Sequence, residues 1–106
     1  MTSSLERKKL TNQPDSITDE FIINAVSCAT NLLFFDSPGT KEVFDNKLRL
    51  RIFKAVRLFI LETSNEELQI EAVRVLSNLS RHVAMCEEFV NDKLFIEALV
   101  LILDHT

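Results

Sequence analysis

The sequence predicts an all-α chain organised as stacked helical repeats, and three observations carry that expectation. Apolar residues recur at three- and four-residue steps along most of the chain, which is the spacing of helices with one packing face. The 106 residues include one glycine and two prolines, and so few sites for left-handed turns disfavour a fold of many β-hairpins. Segments separated by 43 to 47 residues also match one another in type and order.

Residues 1–17 are polar and contain the breakers Asn12, Pro14, Asp15 and Ser16, so a frayed end with one weak turn near Leu5–Leu10 is expected. The first helix is expected from Thr18, a suitable N-cap, with Asp19 and Glu20 at the positive end of the helix dipole. Its apolar residues are Phe21, Ile22, Ala25, Val26, Ala29, Leu32 and Leu33, and Ser37-Pro38-Gly39-Thr40 ends it. A short helix follows over about Lys41–Asn46. A longer one spans Leu48–Glu62, with Leu48, Ile52, Val56, Phe59 and Ile60 on one side and Lys47, Arg51, Lys54 and Arg57 as a polar stripe. Thr63-Ser64-Asn65 breaks the chain and supplies a cap. Glu66 and Glu67 then open a helix through Ser80, packed through Leu68, Ala72, Val75, Leu76 and Leu79. Val83–Asn91 reads as another short helix. Leu94–Leu103 reads as a last one, apolar throughout Leu99–Leu103 and therefore expected to be buried nearly all round. Met85 and the phenylalanines fall at helical spacing and are read as core.

The internal match is the most informative feature. At an offset of 47, Ile23, Ala25, Val26, Asn31 and Leu32 meet identical or similar partners in Ile70, Ala72, Val73, Asn78 and Leu79. At 46, Glu42, Lys47 and Leu48 meet Glu88, Lys93 and Leu94, and at 43, Ala55 and Leu58 meet Ala98 and Leu101. A drifting offset places the length changes in loops. A three-helix unit of this length falls in the armadillo and HEAT range, where no unit buries its apolar faces alone and neighbours must cover them.

Residues 65–80, NEELQIEAVRVLSNLS, resemble the third helix of an armadillo repeat, whose pattern is close to N-x-x-L/I/V-x-x-E-A-L/V-x-x-L-S-N-L/I-A/S. Asn65, Glu71-Ala72 and Leu76-Ser77-Asn78-Leu79-Ser80 all fall in place, and Phe21–Leu33 is a looser copy. The resemblance covers residues 18–106. It implies an armadillo-type α-solenoid fragment, a right-handed superhelix of stacked three-helix repeats. The third helix of one repeat would occupy 18–36, a full repeat 38–80, and the first two helices of the next 82–105. The chain thus looks like a fragment or short isoform of a longer solenoid, in which further armadillo repeats would stack on it. A looser similarity, to the armadillo-repeat-containing proteins of cilia and sperm flagella, implies a cytoplasmic setting associated with a cilium or flagellum.

The resemblance also implies a site. Third helices in this family line a concave groove that holds an extended peptide, and the asparagine of the L-S-N-L motif offers its backbone both a donor and an acceptor. Asn31 and Asn78 match that position. The stripes through them add Glu20, Asn24 and Ser27 on one helix, and Glu67, Glu71, Arg74 and Arg81 on the other. The competing reading is that these asparagines bond neighbouring helices or face water. The importin-type tryptophan, four residues before the asparagine, is replaced by Ser27 and Arg74, and the chain has no tryptophan. A lysine-rich import signal is therefore a poor fit, whereas Arg74 and Arg81 suit an acidic or carboxylate-bearing partner, diluted by Glu67 and Glu71.

Other classes of function find little support. One glycine excludes the glycine-rich phosphate loops. No apolar run reaches the roughly 20 residues of a membrane span, and the N-terminus lacks the apolar stretch of a secretory signal, so Cys28 and Cys86 are read as reduced thiols. The net charge of −4 argues against a nucleic-acid binder as a whole, yet residues 41–57 carry +4 through Lys41, Lys47, Arg49, Arg51, Lys54 and Arg57. That stretch is read first as a solvated helix face. The main alternative function is contact between its 47–57 helix and nucleic acid or an acidic membrane surface. His82 and Cys86 stand four apart, but a closed zinc site needs four ligands and a Cys–His nucleophile pair lacks context here. No metal, no cofactor and no catalysis are expected. The leading expectation is a protein-interaction module.

Overall fold

A computed structural model of the protein describes residues 15–39 and 42–105, with side chains from Thr18 onward. Among the described residues the chain is all-helical, with five α-helices: α1 Asp15–Phe34, α2 Asn46–Glu62, α3 Glu66–Leu79, α4 Val83–Asn91 and α5 Lys93–Asp104. Three starts are fixed by side chains that accept a backbone N–H of the first turn. Asp45 accepts from Leu48 at 2.8 Å, Asn65 from Leu68 at 3.0 Å and Asp92 from Phe95 at 3.1 Å. Glu66 and Glu67 add negative charge to the first turn of α3. After α1 the chain turns through Gly39, whose φ of +75° is left-handed and costs glycine little. Space around its missing Cβ is open, so the dihedral alone explains the residue.

Two expected elements differ. The short helix over Lys41–Asn46 does not form: residues 42–45 are non-helical, and α2 begins at Asn46. The N–H groups of Val43 and Phe44 instead reach the Asp36 carboxylate at 2.9 and 3.2 Å, which holds that segment open. The first helix begins at Asp15 rather than Thr18, so 15–17 belong to it, and the expected fraying and weak turn over residues 1–14 lie outside the described residues.

α1 packs mainly on α3, and α2 packs on α3, α4 and α5. Hydrogen bonds along the α1–α3 contact join residues 46 to 48 apart from end to end. Asn65 Nδ2 donates to Asp19 at 3.0 Å near the start, Asn78 Nδ2 to the Thr30 carbonyl at 2.9 Å further on, and Arg81 to the Leu33 and Phe34 carbonyls at the finish. A constant separation of this kind requires the two helices to lie side by side in the same direction. They are the two segments that match at an offset of 47.

The core draws Ile22, Val26 and Leu33 from α1, and Phe53, Val56 and Ile60 from α2. All five residues read from the sequence as the α3 packing face, Leu68, Ala72, Val75, Leu76 and Leu79, are buried. Phe53, Phe89 and Phe95 form an aromatic centre joining α2, α4 and α5, with ring centroids 4.7 to 5.4 Å apart and tilted or edge-on planes. Met85 is buried beside them. Not every phenylalanine is core: Phe21, Phe34 and Phe35 are exposed. α5 is not buried all round either. Phe95 is its only buried residue, while Val100, Leu101 and Leu103 are exposed because α2 and α4 cover one side only.

Phe95→Ala is expected to lower unfolding free energy by about 3–5 kcal/mol, because it empties the aromatic centre. Phe34→Ala, at an exposed position, should change it by about 0.5 kcal/mol or less. Urea unfolding followed by circular dichroism measures both, and comparable losses for the two variants would contradict this core.

Candidate functional site

The α1–α3 pair is locked at one end by buried charge. Asp36 follows α1 and is fully buried, with Arg49 of α2 only 2% and His82, at the corner after α3, only 4% exposed. Arg49 grips Asp36 with a two-pronged fork, Nε to Oδ2 at 2.8 Å and Nη2 to Oδ1 at 3.0 Å. Arg49 Nη1 also donates to Asn46 Oδ1 at 2.6 Å, and Glu42 lies 3.6 Å from the guanidinium. His82 Nε2 stands 3.0 Å from the Asp36 carbonyl and 3.2 Å from its carboxylate. The Arg49 fork holds the Asp36 carboxyl well below its ordinary value of 3.8, against the opposing effect of burial and with help from the Phe44 and Val43 amides. The same bond pushes Arg49 further up.

Beside this lock, α1 and α3 leave a cleft of about 210 Å³ lined by Thr30, Asn31, Phe34, Arg74, Ser77 and Asn78. Of the six residues on these stripes expected to contact a partner, Asn31, Asn78, Arg74, Ser27, Arg81 and Glu71, the first three therefore meet in one place. Their states differ. Asn31 is exposed, and its amide makes no hydrogen bond among the described residues. Asn78 already donates to the Thr30 carbonyl, which is the neighbouring-helix role weighed for it above. Thr30 in turn donates its hydroxyl to the Val26 carbonyl at 3.1 Å. Arg74 is exposed and paired with Glu71 at 2.9 Å, one turn away on α3. The second Glu71 oxygen, Oε1, is buried with no hydrogen-bond partner among the described residues.

The other three, Glu71, Ser27 and Arg81, lie outside the cleft lining. Ser27 is half-buried on α1, one turn before the cleft. Arg81 serves the fold: its guanidinium donates to the Leu33, Phe34 and Asp36 carbonyls, and its Nε to the Asn78 carbonyl at 3.2 Å. It caps the C-terminal end of α1 while its side chain stays exposed.

The basic stretch is likewise divided. Arg49 is the buried lock, and Arg57 pairs with Asp92 through both nitrogens of its fork. That bond pushes Arg57 up and Asp92 down from their ordinary values. Lys47, Arg51 and Lys54 remain exposed and together line a shallow cleft of about 600 Å³ with Val43, Phe44 and Leu48. His82 is turned to Asp36, whereas the Cys86 thiol donates to the Ser80 carbonyl at 3.0 Å, so the two side chains have separate partners. Among the described residues no three His, Cys, Asp or Glu side chains gather around a common point. None of the described helices is long and apolar enough to cross a membrane.

Sequence reasoning missed the lock, although a signal was present. Arg49 precedes Phe53, Val56 and Ile60 at steps of four, seven and eleven, which puts it on the buried face of α2. Set against protein-family models, curated proteins and solved structures, the chain matches none.

The lock makes stability sensitive to acid. Asp36 holds its proton less tightly folded than unfolded, so its contribution is complete above about pH 5 and declines as pH falls through and below the unfolded value. Asp36→Asn should be less stable than the parent at pH 7 and lose less on going to pH 3.5. Asp36→Ala should cost about 3–5 kcal/mol at pH 7, since it strands the Arg49 charge. Urea midpoints at the two pH values test this, and equal acid slopes for parent and Asp36→Asn would contradict it.

Proposed function

We propose that the chain is an armadillo-type helical repeat module that holds an extended peptide in the cleft between α1 and α3 and acts without catalysis. The observation that supports this reading is the parallel pairing of the two matching helices, which brings Asn31, Arg74 and Asn78 to one cleft. The chemistry suits a peptide backbone. Asn31 presents a free amide, with donor and acceptor in one plane, and Asn78 retains its carbonyl oxygen. Arg74 at the rim favours a carboxylate on the bound peptide, which would take over from Glu71. Phe34 gives the cleft an apolar wall. Stacking onto further repeats of the same type fits the same geometry.

Selection from a random twelve-residue peptide library displayed on phage tests the reading. Enriched peptides should be acidic, and Asn31→Ala combined with Arg74→Ala should weaken their binding about tenfold or more, the loss of one or two hydrogen bonds of which one is charged. Helicity should be unchanged, since both residues are exposed. Binding that survives the double substitution would remove the cleft reading.

A second reading is kept for one observation: Lys47, Arg51 and Lys54 are exposed in one cleft and carry no ion pair among the described residues. Contact of this face with nucleic acid or an acidic membrane should fall steeply with salt. Lys47→Glu with Lys54→Glu should abolish retention on heparin, and retention that persists would end this alternative.

A further inference from the structure

α1 and the residue that follows it carry a second apolar stripe, directed away from the core. Phe21, Ala25, Cys28, Leu32 and Phe35 follow steps of four and three, and all five are exposed, Phe21 at 66%, Leu32 at 52% and Phe35 at 61%. The offset of 47 turns this stripe into Leu68, Ala72, Val75, Leu79 and His82. Those are among the most buried residues of the chain, none more than 4% exposed. α1 thus leaves open the face that α3 closes.

The other end mirrors this. Phe53, Val56 and Ile60 are the buried face of α2. The offset of 43 turns them into Ile96, Leu99 and Leu103 of α5, of which Ile96 is 36% and Leu103 71% exposed while Leu99 is half-buried. Inside the chain the α2 face and the α3 face share one core, with the two helices packed together. The open face of α1 and the open face of α5 are therefore the two halves of a joint that the chain already makes once.

We infer that a second copy of this chain covers both faces, α1 of one copy lying on α5 of the next as α3 lies on α2. The contact is head-to-tail and continues the internal α2–α3 joint. It buries a different surface on each copy and does not close on itself, so assembly grows with concentration beyond a dimer. The inference uses the repeat offsets and not the peptide cleft.

Two variants of the full chain separate the faces: Leu32→Glu with Phe35→Glu blocks α1, and Ile96→Glu with Leu103→Glu blocks α5. Sedimentation velocity from low micromolar to near-millimolar concentration should show the average mass of the parent rising about twofold or more, without a plateau at two chains. Each variant alone should stay monomeric with the helicity of the parent. Their equimolar mixture should form a species of two chains and nothing larger, since one open face of each kind remains. A parent that stays monomeric throughout overturns the proposal and leaves the stripes to residues 1–14 or to repeats in a longer polypeptide. Self-association of either variant alone, or a mixture that stays monomeric, overturns it as well.

Discussion

The structure depends on one buried carboxylate. Asp36 receives the Val43 and Phe44 amides, both prongs of Arg49 and the His82 ring, and its backbone carbonyl receives Arg81. A buried ion pair taken alone gains little, because removing two charges from water costs about as much as their attraction returns. Here the remaining lone pairs are occupied too, which changes the balance. What the arrangement supplies is position. It joins the end of α1, the start of α2 and the corner after α3, and so fixes how far α1 can slide along α3. The cleft between those helices inherits its shape from that constraint.

The same carboxylate explains where the sequence misled. Helical spacing was enough to place α2 to α5 within two residues, and to identify every buried residue of α3. It failed over 42–45, where the carboxylate of Asp36, 13 residues before Arg49, takes the Val43 and Phe44 amides and the segment runs non-helical into α2. Spacing describes a helix by itself, and long-range capture of a backbone group leaves no periodic trace. It also overstated burial on α1 and α5. Both are apolar on two sides, and a periodic pattern does not say which side has a neighbour. The charged stretch over 41–57 shows a related failure: net charge read it as one face, whereas Arg49 and Arg57 are each matched to a distant aspartate.

Of the candidate site, residue type and offset were legible and role was not. Asn31 and Asn78 occupy matching positions, yet among the described residues only Asn78 has a helix beside it whose backbone carbonyl, that of Thr30, accepts its amide. Arg81 lies on the expected stripe, but one turn past the cleft, at the C-terminal end of α1. There its guanidinium donates to the Leu33, Phe34 and Asp36 carbonyls, of which that of Leu33 also accepts the Asp36 N–H at 3.0 Å. Arg74, one turn before Asn78, pairs among the described residues with Glu71 on its own helix.

The corner at His82 gives the last constraint. Its Nε2 faces two acceptors, the carbonyl and the carboxylate of Asp36, at 3.0 and 3.2 Å. Neither acceptor can donate, because Asp36 is ionised by the Arg49 fork, so Nε2 itself must carry hydrogen. The histidine is therefore a donor to Asp36 whatever the state of Nδ1, and the lock does not require it to be charged. The offset of 47 places Phe35 at the equivalent corner of α1, with no donor at all. The lock thus belongs to one junction only, the one that sets α1 on α3. Any neighbour meeting the open face of α1 would have to be held there by apolar contact instead.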